Sequence, residues 1–344
     1  MQQWIKEVAR GKRGSKNLSY EETMNVAHSI LSGEATDAQT TAYLIAMRLI
    51  TETSDELLAF QHALENYTTK LEVSEKTKEN LIDFASPYTG RNSFLATIPV
   101  SLLLADQGIP VFLHSTDSLP PKYAVTINEV LEKLGVNVSL SKETLASSIE
   151  NVKIGFAKTD AYCLPLRDLR KIREEIGVRT LFNTAEKLLN ISGAKSIMAG
   201  AFHRTAIKHI LPVFEKLSFE RVYIVQGVEG SEDLPVHRNS FIFSYQNGET
   251  DSFIVKPEEF GLFHGEGEKK RIPEEEQANI VLSLLNGEKL EEYAYYYNQV
   301  VFNTGIRYYL FNLTNSIEDG IDLAKGQLRE KRGFRKLEEW RLVQ

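Results

Sequence analysis

Between Asp83 and Ser115 the chain reads DFASPYTGRNSFLATIPVSLLLADQGIPVFLHS. A short apolar run, a polar turn, a longer apolar run and a second short apolar run suit a strand, loop, helix and strand. Such a loop is placed to hold a phosphorylated sugar. The residues fitted to that chemistry are Gly90-Arg91-Asn92-Ser93. A glycine permits a tight turn, and a guanidinium just before a helix N-terminus can share one anion with the first helical amides. The spacing predicts that this helix begins near Asn92–Ser93 and runs to Gln107. On this reading Arg91→Ala weakens binding of a phosphorylated ligand roughly tenfold or more and leaves the melting temperature nearly unchanged. The competing reading pairs Arg91 with a neighbouring acid.

Other chemistries find less support. Gly11-Lys12-Arg13-Gly14-Ser15 lacks P-loop spacing, and no HExxH pair is present. Gly261, Gly265 and Gly267 surround His264 without a preceding strand, so they make no dinucleotide fingerprint. His203 and His209, at the start of a predicted helix, face different ways and do not form a ligand pair. Arg329, Lys331, Arg332, Arg335 and Lys336, with Phe334 among them, could track a phosphate backbone. The interleaved Glu330, Glu338 and Glu339 instead suit a solvated helix face.

The elements that must position these residues fall into two groups. Up to about residue 70 only helical patterns occur: Trp4, Ile5 and Val8 in a first short helix, a helix to Leu31 opened by a Ser19/Glu22 capping box, one from Thr36-Asp37 to Leu49, and one from Ser54-Asp55 to Tyr67. From about Glu79 strands alternate with helices. Leu81–Ala85, Val111–His114, Ile154–Ala157, Ser196–Ala199 and Arg221–Gln226 read as strands; Thr126–Leu134, Leu164–Glu175 and Arg204–Leu217 read as helices between them. The alternation predicts an α/β fold with a mainly parallel sheet flanked by helices. Asn247-Gly248 joins a hairpin, and the tail is helical again. The expected division is a helical domain over 1–72, completed by about 164–187, and an α/β domain over 73–344.

Composition sets outer limits. With 344 residues, 42% hydrophobic and 25% charged, the chain reads as globular. A formal charge of −7 gives a field that repels nucleic acid and acidic membranes unless a local basic patch intervenes. The single cysteine, Cys163, excludes an internal disulfide and a multi-cysteine zinc site, and fits a reducing compartment. The first residues lack a signal-peptide core, and no apolar run is long enough to span a bilayer, so a cytoplasmic location is expected and no membrane partner.

Several separated segments carry a resemblance. Ser32–Leu57 with Ala38-Gln39, IREEIGVRTLFN (Ile172–Asn183), VQGVEGSED (Val225–Asp233), Pro257–Leu262 and Asn303-Thr304-Gly305 occur in the order found in anthranilate phosphoribosyltransferases. The chain resembles that family (glycosyltransferase family 3, class II nucleoside phosphorylase fold) over nearly its whole length, and within it a paralogue group outside tryptophan synthesis. The resemblance implies a ligand cleft between the two domains.

The residues of that cleft depart from the family pattern. The family's GTGGD loop, whose backbone wraps pyrophosphate, is matched by Ala85-Ser86-Pro87-Tyr88-Thr89. Pro87 has no amide donor and Tyr88 adds bulk. Leu95, Thr97 and Leu113 stand where the family has phosphate-contacting asparagine, serine and lysine; His114 follows Leu113. FNTAEKLLN (Phe182–Asn190) replaces the family's FNLLGPLTN. Lys122 falls near the lysine of the family's SSKSG stretch, Arg173 matches the arginine that meets the aromatic substrate's carboxylate, and Glu232 and Asp233 match, in reversed order, the acid pair that holds magnesium through phosphate and water. Each also has a plain structural reading, as a solvated charge on a helix or loop.

The expected function is a phosphoribosyltransferase-fold protein with a degenerate pyrophosphate loop. It binds a phosphorylated or nucleotide-like ligand through Gly90, Arg91, Asn92, His114, Lys122 and Arg173, with magnesium at Glu232 and Asp233 entering only with that ligand. A working phosphoribosyl transferase with a rearranged loop, and a nucleic-acid-binding homodimer without catalysis, are the alternatives. No catalytic residue is assigned. The bundle Trp4–Tyr67 carries more apolar positions than so small a domain buries alone, so a two-fold homodimer through it is expected.

Overall fold

The computed structural model describes residues 1–11, 13–267, 270–288 and 290–343, with backbone only at 204–206, 208 and 209. Four helices open the chain: α1 (Gln2–Val8), α2 (Tyr20–Leu31), α3 (Asp37–Ile50) and α4 (Ser54–Asn66). Local signals set their starts. Ser19/Glu22, Thr36/Gln39 and Thr53/Glu56 each form a reciprocal capping box that satisfies the first free amides of α2, α3 and α4. Their inward faces meet in one apolar core that extends onto one face of the sheet.

The sheet has seven strands: β1 (Ile82–Ala85), β2 (Val111–Ser115), β3 (Ile154–Lys158), β4 (Ser196–Gly200), β5 (Arg221–Val225), β6 (Ser240–Gln246) and β7 (Glu249–Val255). Their order is β3-β2-β1-β4-β5-β6-β7. The first five are parallel, and β6 and β7 are antiparallel, joined at Asn247-Gly248. The fold is therefore the expected small helical domain with a large α/β domain. The inner strands β1, β2 and β4 are buried at every position, as strands covered on both faces must be. On the second face lie α6 (Thr97–Asp106), which follows α5 (Glu75–Asn80), and the C-terminal helices.

Topology decides where a ligand can sit. The chain steps outward from β1 to β2 and β3, then crosses back to β4 on the other side of β1. At such a reversal the loops leaving the strand ends diverge and open a crevice. Residues 182–188 pack onto the bundle beside it: Phe60 and Phe182 meet edge to face with centroids 5.5 Å apart, and Gln61 Nε2 donates to the Leu188 carbonyl at 2.8 Å.

Two expectations require correction. The helix after β1 starts at Thr97 and not at Asn92–Ser93. Residues 89–91 instead run against 124–125, where Arg91 and Val125 form an isolated bridge, and a bend follows at 92–93. The single helix expected over Leu164–Glu175 is split into Leu164–Asp168 and Arg170–Ile176.

Candidate functional site

The crevice is a cleft of about 530 Å³ between the bundle and the strand ends. Arg48, Thr51 and Glu52 at the end of α3 line one side, and Arg179, Asn183 and Lys187 continue it. Opposite are Pro87–Thr89, Gly200–His203 and Glu229-Gly230, on the loops that leave β1, β4 and β5. Gly200 lets these loops close up: a β-carbon there would fall onto the Ser231 backbone, so only glycine allows the contact.

One wall of the cleft is cationic. Among the described residues no carboxylate lies within ion-pair distance of Arg48, Arg179 or Lys187. Arg48 Nη1 donates to the Arg179 carbonyl at 2.8 Å. The Arg179 guanidinium lies 5.5 Å from the centroid of Phe202, a ring 43% exposed to the cleft. Burial, and then Arg48, lower the pKa of Arg179. Burial also lowers that of the Lys187 ammonium, against the pull of Glu232 and Glu186 and with the push of Arg179. Glu52 lines the same side, and Glu186, Glu229 and Glu232 act on these cations from beyond ion-pair distance, so an anion in the cleft would meet cations that no carboxylate touches among the described residues.

The residues singled out by sequence are mostly spent on each other. Arg91 is fully buried: Nη2 donates to Asp233 Oδ2 at 2.6 Å and to the Phe94 carbonyl at 2.9 Å, and Nη1 to Ser231 Oγ. Asp233 also accepts from Arg307 at 3.2 Å and from the Thr97 hydroxyl at 2.8 Å. Glu232 accepts from the hydroxyls of Ser86 and Thr97, and its Oε2 has no partner. Although burial would raise the Asp233 pKa, Arg91 and Arg307 hold it below the usual range. Of the two sequence readings of Arg91, the structure has the pairing with an acid.

His114 and Arg173 are likewise internal. His114 Nε2 lies 2.9 Å from Asp83 Oδ1, and its Nδ1 bonds the Tyr88 hydroxyl. With Nε2–H donating to Asp83, Nδ1 is left to accept from tyrosine. Tyr88 Oη also lies 2.6 Å from Thr159 Oγ1. Burial pushes up both the Asp83 carboxyl and the Tyr88 phenol. Tyr88 is thus buried against the ends of β2 and β3, on His114 and Thr159. Arg173 is 3% exposed and donates to Glu186 Oε2 at 2.5 Å.

The remaining three meet at the edge of the cleft. Gly90 has φ +70, and a β-carbon there would strike the Ala124 carbonyl, so close backbone approach accounts for this glycine. The amides of Asn92 and Ser93 donate to Glu229 Oε1 at 3.0 and 2.8 Å, and Lys122 Nζ pairs with Glu229 Oε2. An anion does sit on these donors, and it is a side chain of the chain itself.

The acid pair does not fit a divalent cation as it stands. Both Asp233 oxygens are held by guanidinium groups, and no cluster of three His, Cys, Asp or Glu side chains that could hold a metal occurs among the described residues. His203 lines the cleft; the side chain of His209, like Lys12 of the Gly11–Ser15 segment, lies outside the described residues. No helix among the described residues is long and apolar enough to cross a membrane.

Sequence reasoning passed over Arg48, Arg179, Lys187, Phe202 and Glu229. Lys187 lies in FNTAEKLLN, the segment already notable for replacing the family's FNLLGPLTN, and that departure was the signal available.

Comparison with known proteins places the whole chain. Residues 2–67 match the helical bundle domain of the glycosyl transferase family, and residues 88–331 match its α/β domain. Anthranilate phosphoribosyltransferase of Persephonella marina is 27% identical over 339 residues, 98% of each chain. That of Methanobrevibacter smithii is 27% identical over 344 residues, again 98% of each. Among solved structures, the anthranilate phosphoribosyltransferase of Thermus thermophilus superposes with a TM-score of 0.80 at 23% identity, covering 98% of both chains. The Saccharomyces cerevisiae enzyme in complex with PRPP and Mg gives 0.81 at 17% identity, covering 98% of this chain and 96% of that one.

Proposed function

This chain belongs to the glycosyl transferase family, and from that premise we propose that it binds a phosphorylated or nucleotide-like small molecule in the cleft between bundle and sheet. The observation that carries this reading is the wall with Arg48, Arg179 and Lys187, cations that no carboxylate among the described residues reaches within ion-pair distance, in a partly desolvated cleft. A phosphoryl group supplies the missing charge, and the exposed face of Phe202 offers a planar group a surface to stack on. The ligand-contacting residues of this reading are therefore Arg48, Arg179, Lys187 and Phe202.

Phosphoribosyl transfer with PRPP and magnesium, the chemistry suggested by the relatives, is the second reading. It requires room for pyrophosphate beside β1, and the buried Tyr88 and the amide-less Pro87 lend that less support. A degenerate loop belongs to the first reading, and a rearranged but working one to this second. A nucleic-acid-binding role finds less support: Arg332 pairs with Asp106, Lys336 with Glu339 and Arg341 with Glu338, which breaks up the basic tail. A homodimer through the bundle belongs to the proposal, with Leu49, 80% exposed at the end of α3, as an apolar contact; light scattering at micromolar concentration gives its mass.

The test is a thermal-shift and calorimetric screen with ADP, ribose 5-phosphate, PRPP, pyrophosphate and short single-stranded DNA. At least one phosphorylated small molecule should stabilise the protein, and Arg179→Ala/Lys187→Ala should abolish the effect. PRPP with anthranilate should give no phosphoribosylanthranilate. Product at an ordinary enzyme rate, or stabilisation by DNA alone, would replace this reading with one of the other two.

A further inference from the structure

Glu229 has a backbone conformation that L-residues rarely adopt, φ +52 and ψ +24, and is followed by Gly230 at φ +76. The strained turn delivers its carboxylate to three donors: the consecutive amides of Asn92 and Ser93, and the ammonium of Lys122. The ammonium and the carboxylate are each about one-fifth exposed, and Lys122 also lies 5.7 Å from the Phe202 ring centroid. Two adjacent N–H groups and an ammonium converging on two oxygens are the donor pattern that holds a phosphoryl group. Glu229 itself lines the cleft, so rotation about its side-chain bonds carries the carboxylate into open space and leaves the donors facing an incoming ligand.

We propose that the Asn92 and Ser93 amides and Lys122 form a phosphoryl subsite, and that Glu229 is its built-in occupant, displaced when a phosphorylated ligand enters. The donors suit a dianion better than the monoanionic carboxylate, since each charge-assisted bond strengthens with the charge it meets. Displacement breaks the link between residues 92–93 and the turn at 228–230, whose Gly230 packs against the Phe202 ring and which leads into the buried Glu232-Asp233 pair. Ligand entry and the position of this loop are coupled through one side chain. This deepens the reading of the cleft as a phospho-ligand site, yet its donors differ from Arg48, Arg179 and Lys187, so the two can fail separately.

The experiment titrates pyrophosphate into wild type, Glu229→Ala and Glu229→Gln, following the Asn92 and Ser93 amides by ¹⁵N NMR. Removing the internal competitor should tighten pyrophosphate binding about tenfold in Glu229→Ala, with both amides shifting, and less in Glu229→Gln, which keeps an acceptor oxygen. Adding Lys122→Ala to Glu229→Ala should cancel the gain. Unchanged or weaker affinity in Glu229→Ala, or binding that leaves both amides unmoved, overturns the proposal. Should Glu229→Ala not fold, Glu229→Gln decides alone, with unchanged affinity counting against. If the gain persists in Arg179→Ala/Lys187→Ala, the subsite stands and the cationic wall is not the anchor.

Discussion

Two sets of charges flank the cleft and are built on opposite terms. Behind the strand ends, Arg91 and Arg307 share Asp233, and Arg173 faces Glu186, all of them buried. On the bundle side, Arg48, Arg179 and Lys187 line the cleft with no carboxylate among the described residues within ion-pair distance. In a weakly screening interior, a charge that already has a fixed partner is part of the framework, and recruiting it for a ligand means breaking that pair. A cation left uncompensated at the cleft edge has its interaction still to make. Residue type and proximity to the site do not separate the two cases; partnership does.

The largest effect tests the framework side. Asp233→Ala strands two buried guanidinium groups and should cost about 3–5 kcal/mol in urea unfolding. Arg91→Ala should likewise lower stability severely with little change in ligand affinity in whatever protein folds, the reverse of the outcome that sequence alone suggests. A loss below about 1 kcal/mol in both would erase the contrast. On the other wall, Arg179→Ala or Lys187→Ala should weaken the phospho-ligand that stabilises wild type about ten- to a hundredfold by calorimetry, because each removes a charge-assisted contact of about 1.5–3 kcal/mol. Their melting temperatures should stay near wild type.

A smaller effect concerns Tyr88. Deleting its hydroxyl in Tyr88→Phe leaves His114 Nδ1 without its donor, so about 1–2 kcal/mol should be lost in chemical denaturation. The smallest sharpens the electrostatics. Burial lowers the Lys187 pKa, so this ammonium loses its proton at lower pH than an exposed lysine does. Ligand affinity should therefore fall as pH rises toward alkaline values, and Lys187→Arg should flatten that fall. A profile identical in both proteins would take Lys187 out of the binding set.

What the sequence made legible was local. Each capping box spans four residues, and the strand–helix alternation needs only a short window, so bundle and sheet follow directly. The Arg91–Asp233 pair spans 142 positions, and nothing near Arg91 announces it. Residues 92–93 resemble a helix start because an apolar run follows them, while the bridge of Arg91 to Val125 and a bend after it put off the helix until Thr97. Arg179 stands out only by what it lacks, and a missing partner leaves no pattern in a chain, whereas the departure at Phe182–Asn190 at least marks the segment that carries Lys187. Lys122 was found, but its carboxylate, Glu229, was not, since a left-handed glutamate is not a residue that composition or spacing foretells.

The contact at Gly200 has a consequence of another kind. No side chain fits between β4 and the Ser231 carbonyl, so every alternative at that position displaces the loop bearing Glu229, Glu232 and Asp233. Lys187, half-buried at the cleft wall, meets no such backbone contact. In a saturation library screened only for folded protein, position 200 should return glycine alone, and position 187 a wider set. Repeating the screen on a bound phospho-ligand should collapse position 187 to basic residues and leave position 200 as it was. The two screens would record, in separate columns, what this chain needs in order to exist and what it needs in order to act.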